Sequence, residues 1–250
     1  MKKMILIVGM LLIFPLFVHA QKLDIAFGMN RAPFVFNYQG EWQGIEVDIL
    51  REALAFSGHE IASSIHVSNK RLVMAVPKMG LDAAVKVKSA QDGSFYSDVY
   101  LEHKNLVISR KDQQLSIKTL VDINKYSLAA WQNATQHLGE KFAFIVSPSQ
   151  LHKNGGVYQE YASQKIQNVV FWHNRADLLI IDKHIFLWHK KQLAGEYQTN
   201  VELNYHDILP NKGKFKVSFK SSKIRDDFNR GLQNLHTTGK YQAIYDKYIK

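Results

Sequence analysis

Apolar and polar positions alternate from Leu23 to Phe27 and the run breaks at Gly28, which predicts an opening β-strand. A loop through Pro33 and Gly40 follows. Ile45, Ile49, Leu50, Ala53, Leu54 and Phe56 then recur at roughly helical spacing until Gly58, predicting a helix with one apolar face. Ile61 to Val67 alternates again, Lys70 to Met79 fits a short helix ended by Gly80, and Ala83 to Val87 reads as a strand. That order, β, α, β, α, β, implies a mainly parallel sheet flanked by helices, whose ligand sites lie in loops beyond the carboxyl ends of its strands. The loops from Gly28 to Phe36 and from Lys86 to Tyr100 are therefore where chemistry is expected.

Leu106 to Ser109 is a further predicted strand, and the polar stretch from Asp112 to Asn124 reads as a connector into a second unit of the same design. There Ser127 to Trp131 is the first strand, Ala134 to Phe142 a helix, Ile145 a short strand and Val157 to Gln164 a second helix. Asn168 to Phe171 and Asp177 to Ile181 close the pattern, and Phe215 to Phe219 with Ile224 to Leu235 forms a last strand and helix. Sequence repeats and low-complexity tracts are absent.

Ahead of the first strand, Met1-Lys2-Lys3 precedes an apolar run from Met4 to Val18 that ends in Val18-His19-Ala20. A cationic start, a short apolar stretch and small residues at its end mark a signal peptide, expected to be cleaved after Ala20, with an uncleaved anchor as the alternative. Removing 20 of 250 residues leaves 230, enough for two domains of modest size. With 0 Cys the chain admits no lipid on a cysteine and no disulfide, so the expected mature protein is free in the periplasm of a Gram-negative bacterium. The formal charge of +10 falls to +8 once Lys2 and Lys3 leave, but no recognition motif accompanies it, so a solvated basic surface and no nucleic-acid partner are expected. The 11 His contain no His-Glu-x-x-His pattern, and His184 and His189 are spaced off a single helical face, so neither a metal nor a cofactor is expected. Without a Gly-x-Ser-x-Gly elbow or a phosphate-cradling glycine loop, binding is favoured over catalysis.

Four stretches agree in order and spacing with one family. They are Ala32-Pro33-Phe34 with the segment from Gly40 through Trp42 and Gly44 to Asp48; Gly80-Leu81-Asp82-Ala83-Ala84 with Tyr96-Ser97-Asp98-Val99-Tyr100; Arg175-Ala176-Asp177 through Asp182; and Phe228-Asn229-Arg230-Gly231-Leu232 with Gly239-Lys240-Tyr241 and Tyr245-Asp246-Lys247-Tyr248. Together they resemble the family 3 extracellular solute-binding proteins of amino-acid ABC transporters. The resemblance implies an α/β, two-lobed fold of the type II periplasmic-binding-protein kind, with a hinge cleft and a discontinuous first lobe. Residues 21–102 and 213–250 would form lobe one and residues 103–212 lobe two, with crossings near Leu101 to His103 and Lys212 to Lys214. It also implies a monomer that captures a small solute for a membrane permease. A ligand sensor working through a membrane partner and a cyclohexadienyl-type dehydratase are the other readings.

In amino-acid binders of this kind an Asp at the end of the Asp-Ala-x-x-x-Asp strand holds the ligand's ammonium, a role that falls on Asp182; a helix-capping Asp after a strand is the alternative. They also grip the ligand's carboxylate with an Arg shortly before the Phe-Ser-Asp turn. Here the segment from Lys86 to Phe95 contains none, so Lys86 or Lys88 either substitutes, as a point charge without the guanidinium fork, or is an exposed strand residue. A small polar, amine-bearing ligand is expected in place of an ordinary α-amino acid. Phe34, Trp42 and Trp131 are candidate walls or ordinary core. Trp131-Gln132-Asn133-Ala134 enters a helix whose first N–H groups can receive an anionic group, with Asn133 where the family has a Gly-rich or Ser/Thr turn. Asp48, near a helix start, reads as structural.

Overall fold

The computed structural model describes residues 20–29, 31–210 and 212–250. Except for Ala20, the expected signal peptide lies outside the described residues. The chain runs β1 (Lys22–Gly28), β2 (Phe36–Tyr38), β3 (Glu41–Gln43), α1 (Ile45–Ala55), β4 (Glu60–Val67), α2 (Asn69–Ala75), β5 (Ala83–Val87), β6 (Phe95–Tyr96) and β7 (Leu101–Arg110). It continues through β8 (Ser127–Trp131), α3 (Ala134–Leu138), α4 (Glu140–Ile145), α5 (Pro148–Asn154), β9 (Val157–Tyr161), α6 (Gln164–Trp172), β10 (Leu178–Asp182), α7 (Lys183–Gln192) and β11 (Leu203–His206). It ends in β12 (Lys212–Phe219), α8 (Ser222–Thr237) and α9 (Lys240–Ile249). No helix among the described residues is long and apolar enough to cross a membrane.

The strands follow the path β4-β1-β5-β12-β7-β10-β8-β9. β1 lies parallel to β4 and β5, and β8 lies parallel to β9 and β10, so each end of the path is a parallel α/β unit. Between them run two antiparallel strands that each serve both units. The first half of β12 pairs with Leu101–Lys104 of β7 and its second half with β5, while β7 continues from Asn105 along β10. Among the described residues, these two strands are where the sheet passes from one unit to the other along that path.

Continuous apolar runs explain the central strands, because both faces of a parallel sheet are covered. Leu179 and Ile181 of β10 join one core with Leu106 and Ile108 of β7, whereas Leu178, Ile180 and Val107 point into the core of the second unit with Leu128 and Phe142. Helix α8 crosses α1 at Gly231, where an added Cβ would meet the Ala53 backbone, so only glycine permits that approach. Asp48 fastens α1 to the C-terminal helix α9: its carboxylate accepts the Tyr248 hydroxyl at 2.7 Å and pairs with Lys247 at 2.8 Å.

Four expectations need correction. Asn168 to Phe171, expected with Asp177 to Ile181 to close the pattern of the second unit, lies inside helix α6. Val157 to Gln164 is not a helix, because Val157–Tyr161 is taken up as β9, in register with every residue of β8; its Val and Tyr residues suit a pleated edge. Ile145 is the buried last residue of α4 and not a strand. The helix expected from Ala134 to Phe142 is broken into α3 and α4 at Gly139, whose φ of 89° no helix allows.

Candidate functional site

Phe34, Lys86, Trp131 and Asp182 lie at or just beyond the carboxyl ends of β1, β5, β8 and β10, where the ligand-site rule for such sheets puts chemistry. After β1 the chain turns through Arg31 to Phe34. This loop is locked onto the start of α1, because the Ile45 and Glu46 amides donate to the Pro33 and Phe34 carbonyls, both at 2.9 Å. Gly44 makes that approach possible: its φ is 131°, and a Cβ there would collide with the Phe34 carbonyl. Phe34, with 0% exposure, stacks on His103 of β7 at 4.5 Å, and the Arg31 guanidinium lies 5.3 Å from the Phe34 ring centre. Arg31 also pairs with Glu46 at 2.6 Å, and Tyr100 donates to the other Glu46 oxygen at 3.3 Å. Burial raises the Glu46 pKa and the Arg31 charge opposes that rise.

On the same unit, Trp42 of β3 stacks on His66, near the end of β4, with ring centres 3.3 Å apart and ring planes nearly parallel, and Phe27 stacks at 5.6 Å from the same imidazole. His66 Nδ1 lies 3.2 Å from the Gly28 carbonyl, which can only accept, so Nδ1 carries the proton. Burial lowers its pKa. Lys86 has a positive φ of 56°, its N–H donates to the Tyr100 hydroxyl, and its Nζ stands 5.4 Å from the Phe215 ring centre. Lys88, just beyond β5, is exposed.

Asp182 ends β10 with 2% exposure. Its Oδ1 accepts the His184 and Ile185 amides at 2.9 and 3.2 Å, capping α7, and its Oδ2 accepts the Lys104 amide of β7 at 2.9 Å. A carboxylate offers about four lone-pair sites, so one on Oδ2 is left over. His103 Nδ1 is 3.9 Å from Oδ2 and His184 Nδ1 is 3.8 Å from Oδ1. Burial pushes the Asp182 pKa up to about 6 against the pull of its three amide bonds and Arg31. The same burial takes His184 down to about 4 and His103 well below its ordinary range. His103 Nε2, His184 Nδ1 and Arg31 Nε are buried with no hydrogen-bond partner.

At the neighbouring strand ends, Trp131 packs half-buried against the second unit's core and Asn133 adopts the left-handed conformation, φ 64°. The amides of Asn133 and Thr135 do not stand free. Both donate to the carboxylate of Glu160 on β9, at 2.7 and 3.2 Å.

A sequence search among curated proteins finds no match. The profile of the bacterial extracellular solute-binding proteins, family 3, matches residues 23–250. The chain belongs to that family. This family 3 protein shares its fold with the Lactococcus lactis GlnP substrate-binding domain 2 in its open conformation, at 19% identity and a TM-score of 0.67 over 91% of this chain and 94% of that one. An ancestral cationic amino acid solute-binding protein matches at 15% identity and 0.69 over 92% and 96%, and the GluR0 ligand-binding core in complex with L-glutamate at 14% and 0.63 over 93% and 100%. The architecture is thus the two-lobed type II periplasmic-binding fold, with its first lobe completed by the C-terminal segment.

Within the family 3 protein, Phe34, Lys86 and Asp182 gather around His103 and Phe215 of the two crossing strands, whose rings meet edge to face at 5.2 Å. Trp42 stands in its stack with His66, while Trp131 and Asn133 sit with Glu160 at the carboxyl ends of β8 and β9. Neither these six expected residues nor Lys88 lines the 410 Å³ cavity beside the cluster, which is walled by Tyr100, Glu102, Lys104, His184, Tyr241 and Tyr245 among others. Arg31, Glu46, His66, His103 and Glu160 stand in contact with the candidate residues or beside them, and the sequence reading did not single them out. Only His66 left a readable trace there, as a polar aromatic at the carboxyl end of a predicted strand.

Proposed function

We propose that this chain captures a small, amine-bearing solute in the periplasm and presents it to the membrane permease of an ABC-type importer. In this reading it is exported and cut after Ala20, acts as a monomer without enzymatic turnover, and swings residues 21–102 with 213–250 against residues 103–212 about β7 and β12. The observation that carries the reading is Asp182: a carboxylate at a strand end beside the crossing strands, with one lone pair unspent and its charge poorly solvated. A bound ammonium supplies the missing partner and a charge-assisted hydrogen bond in a dry cleft. Parting the lobes slides Phe34 off His103 and opens the way to it.

Calorimetric titration of the mature protein with polyamines, amino acids and organic acids tests this. An amine should bind, and Asp182→Asn should weaken it at least tenfold, since a hydrogen bond to a charged group is worth about 1.5–3 kcal/mol. Unchanged affinity in a folded Asp182→Asn protein removes Asp182 from the site, and turnover of a prephenate-like acid would replace binding with catalysis.

A further inference from the structure

Glu160 lies on β9 opposite Ala130, one residue before Tyr161 pairs with Trp131, so it stands at the same strand-end edge of lobe two as Asp182. Its oxygens accept four hydrogen bonds: from the Asn133 amide at 2.7 Å, the Thr135 amide at 3.2 Å, the Thr135 hydroxyl at 3.3 Å and the Tyr158 hydroxyl at 2.7 Å. Every one of these donors is neutral, and among the described residues no ion pair involves Glu160. Burial works against its ionisation, but the bonds from Tyr158, Thr135 and Asn133 outweigh it, and the pKa is lowered. The result is a fixed, uncompensated negative charge. It also uses the two turn amides that would otherwise meet an anion from outside. Two strands away across β8, Asp182 at the end of β10 is the second carboxylate at these strand ends, and its bonds too come only from neutral amides.

We propose that Glu160 is a specificity-determining residue of the cleft: it fills the turn between β8 and α3 with the protein's own carboxylate, so lobe two selects amines that lack a carboxylate over the corresponding amino acids. This rests on the reading of the cleft as a site for amine-bearing solutes and narrows the class. The effect is Coulombic. A ligand carboxylate brought against this edge meets two like charges, whereas a simple amine is attracted by both.

Matched pairs that differ only by the α-carboxylate isolate the term: arginine against agmatine, and lysine against cadaverine, titrated into the wild-type protein and into Glu160→Gln. The wild type should prefer each decarboxylated member at least tenfold. Glu160→Gln keeps an oxygen for the Thr135 and Tyr158 donors while removing the charge, and it should narrow that preference severalfold, with a thermal melt confirming that the variant is folded. A wild type that binds the amino acid as tightly as the amine overturns the proposal while leaving a solute-binding role intact, as does a preference that Glu160→Gln leaves unchanged. If no member of either pair binds, the amine-capturing role fails and this inference falls with it.

Discussion

Replacing Asp182 by Asn isolates the cost of keeping a carboxylate buried at the lobe junction. Its pKa of about 6 in the folded protein, against 3.8 for the free side chain, means that the native state binds the proton more tightly than the unfolded chain does. Wild-type stability must therefore fall, relative to Asp182→Asn, as the pH rises from about 4 to about 6, and then level off. The shift of roughly two units corresponds to about 3 kcal/mol at 1.36 kcal/mol per unit. Against that, Asn keeps one carbonyl for the His184 and Ile185 amides but turns a donor toward the Lys104 amide, which costs about 1–3 kcal/mol at every pH. The variant should accordingly be clearly weaker than wild type near pH 4.5 and close to it, or even stronger, at pH 7.5. Urea unfolding of both proteins at half-unit steps over that range gives the difference directly. His103 and His184, whose pKa values burial lowers, also cost stability in both proteins as pH falls. A difference that stays flat with pH, or one in which wild type gains on the variant as pH rises, would refute the buried-charge reasoning and mean that Arg31 and the amides fully compensate the carboxylate.

The same titration should govern capture of a cation: if only ionised Asp182 holds an ammonium, amine affinity should drop about tenfold per pH unit below about 6, and equal affinities at pH 5 and 7 would disconnect the two. Gly44→Ala should cost upwards of about 2 kcal/mol, read as a lowered urea midpoint, because it places a side chain at φ 131° against the Phe34 carbonyl. Tyr248→Phe should lose about 2–3 kcal/mol, since its hydroxyl both donates to Asp48 and accepts from the Gly44 amide; a change under half a kcal/mol would show that water replaces it freely.

Strands that bury both faces were legible because they are unbroken apolar runs: Ala83–Val87 and Ser127–Trp131 are observed with the bounds that the pattern implies. β9 was not, since an edge strand of Val, Tyr, Gln and Glu has the mixed polarity of an exposed helix until β8 is set beside it. The hairpin of β2 and β3 was hidden in the same way, each strand being three residues long. In the site, both roles weighed for Asp182 were readable, and the capping bonds are present. Glu160 was not readable, because its importance lies in donors 25 and 27 residues away. Arg31 and Glu46, 15 residues apart, likewise become a pair only when Gly44 folds the loop back.

The sharing of β12 between both units sets the order of events when the chain first folds. β1, β4 and β5 are made early, yet the free edge of β5 stays uncovered until residues 216–219 arrive, more than 120 residues later. Lobe two, by contrast, has all of β8, β9 and β10 in one uninterrupted stretch. Short-range closure is faster than long-range closure, so the middle of the chain should complete itself first. The amino-terminal third must then wait, with an open sheet edge that other chains can pair with. Loss of the final forty residues would leave that edge exposed for good, and the expected outcome is aggregation rather than a smaller working protein.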